Sequence, residues 1–521
     1  MTKRLAVLFL SAAMLLGAET GAGAIDFKAE GEWLIGFGGG QTDFINKIRE
    51  GGGKNKYSSD DAFTAMQRVR LQLDAAASEH LSGTVFFQIG DTTWGKDDEG
   101  GALGADRTNA VLLHGAYLDW TVPGTELKFR MGLHTVSLPN MAGGSAVLDT
   151  QVAGVTAAWQ FSENVGLTAL WARPFNDNYS NSYTYWNDRD NRANYLDNMD
   201  LFGLLLPLKF DGVEATPWVM YGMRGKNSTK FDAYNENDLG DGSPVFTLNP
   251  YPQPYIYALE AGLLTEHPVG KTSKAYGSMF WAGLPFAITA WDPLNIEFDI
   301  NYGYVEGMGR YDLYKGGDFH GRGSTERQGW LAKALVEYKM DWGTPGIFGW
   351  YASGDDGNPK NGSERLPSIC PYGNFTSFIG DGNLGWASSG GYYDRNTSYA
   401  GTWGIGARIT EMSFMEDLKH SFTVAYWGGT NSTSMVKYMA TAYDWDNGSL
   451  EGPYMTTRDG LLEFNLINSW QIYENLEMNL ELGYVVNLMD NSTWKKTNSG
   501  RDTSFEKQDI WKAQLVFAYT F

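Results

Sequence analysis

In the last eleven residues, Trp511 to Phe521, every odd position is apolar or aromatic: Trp511, Ala513, Leu515, Phe517, Tyr519 and Phe521. Between them stand Lys512, Gln514 and Thr520, with Val516 and Ala518 mixed in. This is a period-2 strand with one face suited to lipid and one to a wetter side. An exposed apolar strand at the edge of a soluble protein invites aggregation. In a closed barrel the last strand pairs with the first, and no edge remains. The terminal strand therefore predicts an outer-membrane barrel whose assembly machinery reads the end at Phe521.

The start of the chain agrees with export. Lys3 and Arg4 form a basic region, Leu5 to Ala18 is apolar, and Ala22-Gly23-Ala24 offers a small-residue cleavage site. The apolar run is shorter than the ~20 residues a membrane-spanning helix needs. Residues 1–24 thus read as a cleaved signal peptide and 25–521 as one barrel domain. No later apolar stretch is long enough to span as a helix, so a membrane-embedded form has to use strands.

From Ile25 onward one unit repeats: an alternating segment of about ten to fourteen residues, then a tight turn or a long polar loop. Ile25, Phe27, Ala29, Trp33, Ile35 and Phe37 oppose Asp26, Lys28, Glu30 and Glu32. Val69, Leu71, Leu73 and Ala75 oppose Arg68, Arg70, Gln72 and Asp74. Tight turns recur at Val122-Pro123-Gly124-Thr125, Glu163-Asn164-Val165-Gly166, Asp211-Gly212-Val213, Asp292-Pro293-Leu294-Asn295, Gly343-Thr344-Pro345-Gly346 and Tyr473-Glu474-Asn475. Long loops separate them near 174–198, 226–274, 306–328, 355–400, 430–457 and 490–507. Short connections at one end and long ones at the other are the outer-membrane pattern, which sandwiches and propellers lack. Nineteen candidate strands are visible. An even number is required when both termini lie on the periplasmic side, so Tyr255–Leu264, flanked by prolines, goes to a loop. The expectation is an all-β, antiparallel transmembrane barrel of 18 strands, with 16 as the alternative. Trp33, Trp120, Trp159, Trp171, Trp291, Trp342 and Trp511 fall near strand ends, as interfacial girdles do.

Composition narrows the function. Aromatic residues make up 14% and charged residues 19%, yet the chain is polar on average. The formal net charge of −21 argues against nucleic-acid binding, and losing residues 1–24 leaves the chain one unit more negative. A single cysteine, Cys370, in a proline-flanked loop, excludes an internal disulfide framework. His-Glu-x-x-His, Gly-x-Ser-x-Gly, Walker and Cys-x-x-Cys motifs are missing, and the six histidines do not stand at ligand spacings. No catalytic, metal or cofactor residue is assigned. The acid pairs Asp60-Asp61, Asp97-Asp98 and Asp355-Asp356 read as solvated loop charge ahead of Ca²⁺ ligands bridging lipopolysaccharide phosphates.

Strand parity places candidate pore-lining residues. Arg68 and Arg70 share one inward face, and Lys128, Arg130 and His134 share another. Across the lumen the expected acids are Glu297, Asp299, Glu463, Glu477 and Glu481. Such walls filter solutes by size and charge, although inward polar residues are expected of any wide barrel. Inward aromatics look few, which disfavours a sugar-specific channel. The stretch Thr135–Asp149 is small, flexible and nearly uncharged, which suits a loop folded into the barrel as a constriction with Asp149 its one acid.

Three segments carry a resemblance: Ile25-Asp26-Phe27-Lys28-Ala29-Glu30-Gly31-Glu32-Trp33, Trp291-Asp292-Pro293-Leu294-Asn295-Ile296-Glu297-Phe298-Asp299, and the terminal strand. With them the mature chain resembles the outer-membrane homotrimeric porin family of sulfate-reducing bacteria. The resemblance implies a homotrimer in outer-membrane lipid and lipopolysaccharide that passes small hydrophilic solutes by diffusion. More loosely, a basic strand before a constricting loop resembles general diffusion porins. The acidic Pro-Glu-Phe-Gly-Gly-type loop of those porins is missing, so their cation preference does not carry over. The rival readings are a substrate-specific channel for sugars or organic acids, a barrel enzyme, and a secreted soluble β protein.

Overall fold

The computed structural model describes residues 25–41, 44–47, 62–95, 111–176, 198–225, 276–379, 398–439, 454–496 and 505–521. The predicted signal peptide, Asp60-Asp61, Asp97-Asp98 and Tyr255–Leu264 lie outside them.

Eighteen antiparallel strands close into a barrel. In chain order they are β1 (Asp26–Gln41), β2 (Ala62–Ser78), β3 (Leu81–Thr93), β4 (Val111–Thr121), β5 (Leu127–Ser137), β6 (Asp149–Gln160) and β7 (Gly166–Asn176). Next come β8 (Asn198–Leu205 and Leu208–Phe210), β9 (Val213–Ala215 and Trp218–Gly225), β10 (Tyr276–Trp291), β11 (Leu294–Val305), β12 (Arg327–Tyr338) and β13 (Thr344–Ala352). The last are β14 (Thr402–Met415), β15 (Leu418–Gly429), β16 (Gly460–Tyr473), β17 (Leu476–Asn487) and β18 (Ile510–Thr520). Pro207 and Pro217 interrupt β8 and β9, because proline has no N–H for the ladder. β18 pairs with β1 from Glu32↔Thr520 to Gln41↔Trp511, while β1 pairs along its other edge with β2. Closure thus satisfies both edges of the sheet.

The connections alternate as the sequence predicts, with tight turns of two to five residues at one end and long loops at the other. Two short ladders, Arg310–Lys315 with Asp318–Ser324 and Ile45–Lys47 with Phe505–Lys507, lie at the long-loop end. The helical turns Thr433–Tyr438 and Asn491–Trp494 join them there. The outward face is apolar: Phe27, Val219, Ile300, Tyr302, Ile347, Tyr351 and Ile405 are exposed, and so are all seven girdle tryptophans.

The interior differs from the expectation of a uniformly wet lumen. Inward-facing Met220, Met279, Trp281, Leu331, Leu335, Phe348, Trp350, Trp427, Leu461 and Val485 are buried. The seven from Leu331 to Val485 pack in one cluster with the loop residues Ala142, Ala146, Leu366, Phe375, Phe378 and Ile379. Met220, Met279 and Trp281 form a second cluster with Leu138, Val147, Leu148 and Ile369. Inward aromatics are therefore not few, but they are covered. Burying each large apolar side chain stabilises the fold by roughly 1.5–3 kcal/mol, so the barrel holds a packed core inside its own wall.

Candidate functional site: the lumen and its two inward loops

The first inward loop spans 138–148, shorter than the sequence suggests. Thr135 to Ser137 remain in β5, and Asp149 opens β6, paired with Ser137. The loop crosses the lumen and is held from the far side. Trp218 of β9 donates Nε1–H to Pro139 O at 3.1 Å, Tyr399 donates its hydroxyl to Gly143 O at 2.5 Å, and Lys333 of β12 donates to Gly144 O. Gly143 and Gly144 have φ of 60° and 78°, and a Cβ on Gly144 would overlap Gly373. Glycine is required there by both conformation and close approach.

The second inward segment, Arg365–Ile379, belongs to the β13–β14 connection and was not anticipated. Its neck is the buried Asp355, which accepts from Ser363 Oγ at 2.6 Å and Tyr454 hydroxyl at 2.8 Å and faces Arg365 Nε at 3.6 Å. Trp281 of β10 donates to Pro367 O at 2.8 Å. The two loops are stitched by backbone: Ser145 N to Tyr372 O at 2.8 Å, Tyr372 N to Ser145 O at 3.0 Å, and Ile369 N to Val147 O at 2.9 Å. Cys370, half-buried, sits in this seam with its N–H on Val147 O. It is part of the constriction and not an incidental loop residue. The sequence signal was the apolar content of Leu366, Ile369, Phe375, Phe378 and Ile379 within a long polar loop.

Three of the expected wall acids do not face open water. Asp299 is fully buried 3.2 Å from Lys333. Glu481 is fully buried 3.2 Å from Lys512 and accepts from Gln514 Nε2 at 2.6 Å. Glu463 accepts from Phe378 N at 2.9 Å, Ile379 N at 3.2 Å, Asn465 Nδ2 at 2.9 Å and Trp427 Nε1 at 3.0 Å. A buried carboxylate is costly unless fully partnered. Glu463 anchors the second loop directly, while Asp299 and Glu481 neutralise the lysines that reach the loops. Glu297, half-buried, accepts from Asn295 Nδ2 at 2.9 Å, and Glu477 stays partly exposed. Asp149 is half-buried at the edge of the seam between the loops, where its N–H donates to Cys370 O at 2.8 Å.

The cations lie on the opposite sector, three strands apart. Arg70 donates Nε–H to Gln88 at 3.0 Å and faces Glu32 at 3.9 Å, and Arg68 stands two residues further along β2. Arg130 grips Asp119 with two bonds of 2.7 and 2.8 Å and stacks 4.2 Å over Tyr117. Lys128 is exposed toward the short-turn end. His134 is buried; its Nδ1 donates to Gly132 O at 3.1 Å, and its Nε2 lies 3.0 Å from the Thr156 hydroxyl. Sequence parity missed the acids among these cations, Glu32 and Asp119, as partners, because pairing needs the cross-strand register. Below the inward loops, Glu337 and Arg408 pair at 2.8 Å on the far wall. Among the described residues, β1–β5 carry a partly exposed charged wall of mixed sign. Among the described residues no His, Cys, Asp and Glu side chains group in threes as a metal site would require.

No family model matches the sequence, and no curated protein does. Similar solved structures include OccK11 (OpdR) of Pseudomonas aeruginosa, at 12% identity and TM-score 0.47, covering 95% of this chain and 96% of that one. OpdQ of the same organism has 11% identity and TM-score 0.46, covering 95% and 98%. OpdK of that organism, crystallised with vanillate, has 10% identity and TM-score 0.45, also covering 95% and 98%.

Proposed function

We propose that this chain is an outer-membrane channel for passive diffusion of small hydrophilic solutes and ions, assembled as a homotrimer, with no catalytic step and no cofactor. One observation carries the reading. A closed barrel with an apolar, tryptophan-girdled exterior keeps a charged, partly exposed wall inside, on β1–β5, while two inward loops pack against strands elsewhere on the wall. The apolar-outside, closed strand pattern ending at Phe521 supports a place in the outer membrane, with lipid and lipopolysaccharide around the barrel. The narrowed lumen favours a second reading, a channel with a preferred solute, because a bore bounded on one side by Arg68, Arg70 and Arg130 discriminates more than a wide one.

Local field sets ion preference, because exposed charges further away than the ~8 Å Debye length of physiological salt are largely screened. Lys28, Arg68, Arg70, Lys128 and Arg130 on this wall are matched in number by Asp26, Glu30, Glu32, Asp74 and Asp119. The expected weak anion preference therefore rests on placement: Arg68, opposite Leu34, stands nearer the long-loop end than the acids of β1 and β2. In a planar bilayer under a salt gradient, Arg68→Ala with Arg70→Ala should shift the reversal potential toward cations and slightly raise conductance. Wild-type selectivity in the double variant would remove these arginines from the path. Conductance that saturates with one solute would favour the second reading.

A further inference from the structure

The interior contains the same arrangement twice. Lys333 on β12 is fully buried, pairs with Asp299 on β11 at 3.2 Å, donates to Gly144 O of the first loop and lies 5.1 Å from the centre of the Tyr399 ring. Lys512 on β18 is fully buried, pairs with Glu481 on β17 at 3.2 Å, donates to Ser377 O of the second loop at 3.2 Å and lies 5.5 Å from the centre of the Phe378 ring. Each lysine thus has a carboxylate from the neighbouring strand and one carbonyl from an inward loop, with an aromatic ring beside it: Phe378 of the second loop for Lys512, and Tyr399, just before β14, for Lys333.

We propose that Lys333 and Lys512 are positioning residues that set the bore of the channel by clamping the two loops. An ammonium in an apolar surround needs all its donors and its charge answered, and losing one partner is costly. The strand carboxylate neutralises each lysine, but the loop carbonyl and ring complete its shell. A loop that lifts away leaves the lysine and its carboxylate among Leu331, Leu335 and Phe348, or among Val485 and Ile510, all buried apolar side chains of the same cluster. Apolar contact alone would hold a loop while allowing it to slide, whereas an ion pair aimed at one carbonyl fixes one register. The loops are joined by the Ser145–Tyr372 backbone bonds, so the clamps hold the two ends of a single insert.

The proposal rests on the channel reading, and two readouts keep the two apart. Lys333→Met alone would strand Asp299, so the test uses the charge-neutral pairs Lys333→Met with Asp299→Asn, and Lys512→Met with Glu481→Gln. Heat-modifiable migration verifies that each barrel has closed. Single-channel conductance should rise by about twofold in each pair variant, with the reversal potential unchanged because the deleted charges are buried. Cys370, the only cysteine of the chain, should react about tenfold faster with a water-soluble maleimide once the seam loosens. Closed pair variants with wild-type conductance and wild-type Cys370 reactivity would overturn the clamps. A wild-type protein silent in bilayers would overturn the channel reading, and Cys370 reactivity would still decide the clamps.

Discussion

Glu364 stands at the neck of the second inward loop, outside the strands. Its carboxylate accepts from Asp356 N at 3.0 Å and Asn361 Nδ2 at 2.8 Å. Burial pushes its pKa up to about 7, and Asp355 and Asp356 push the same way against the Asp356 amide. The folded neck therefore holds a proton that the unfolded chain, with an ordinary value of 4.5, releases earlier. Between those values the unfolded state binds fewer protons, so the stability of this neck falls as pH rises toward about 7 and levels off above. Hydrogen-exchange protection of the Asp356 amide should decline over that range, and Glu364→Gln should flatten the decline. An unaltered pH profile in that variant would assign the effect elsewhere. At this scale the sequence was legible in part. Parity alone put Arg68, Arg70, Lys128 and Arg130 on inward faces. It could not show that Asp299, Glu463 and Glu481 lie under loops, since the donors to Glu463 from Phe378 and Trp427 come from 85 and 36 residues away.

β1 and β18 carry the closure. Phe521 N donates to Gly31 O at 3.0 Å, Gly31 N donates to Phe521 O at 2.8 Å, and the Phe521 ring lies where a Cβ on residue 31 would be. Deleting Phe521 removes both backbone bonds, each worth about 0.5–1.5 kcal/mol, together with the ring that covers Gly31. The yield of heat-modifiable barrel should fall, and a deletion that folds as well as wild type would refute this role for the terminal residue. Strands were the most legible elements, because lipid outside and water inside impose a period of two. The legibility fades where both sides are apolar. In β12, Trp330, Ala332, Ala334 and Val336 face outward while Leu331 and Leu335 face a core. The loops were the least legible, since composition marks 138–148 as uncharged but does not name the wall that receives it. The second segment needed Trp281, Glu463 and Lys512 in place before its apolar residues had an evident destination.

For the molecule as a whole, the proposed homotrimer is checked by mass: light scattering in mild detergent should give three copies of the chain, and a monomer would count against it. One further property follows from where Lys512 sits. It lies on the final strand, its carboxylate partner on the strand before, and the loop it clamps enters 135 residues earlier in the chain. Until that strand is laid against β17, Glu481 lacks its cation and Ser377 its donor. The second loop thus gains this anchor only when the final strand arrives, and a wall completed by that strand is narrow from the moment it closes.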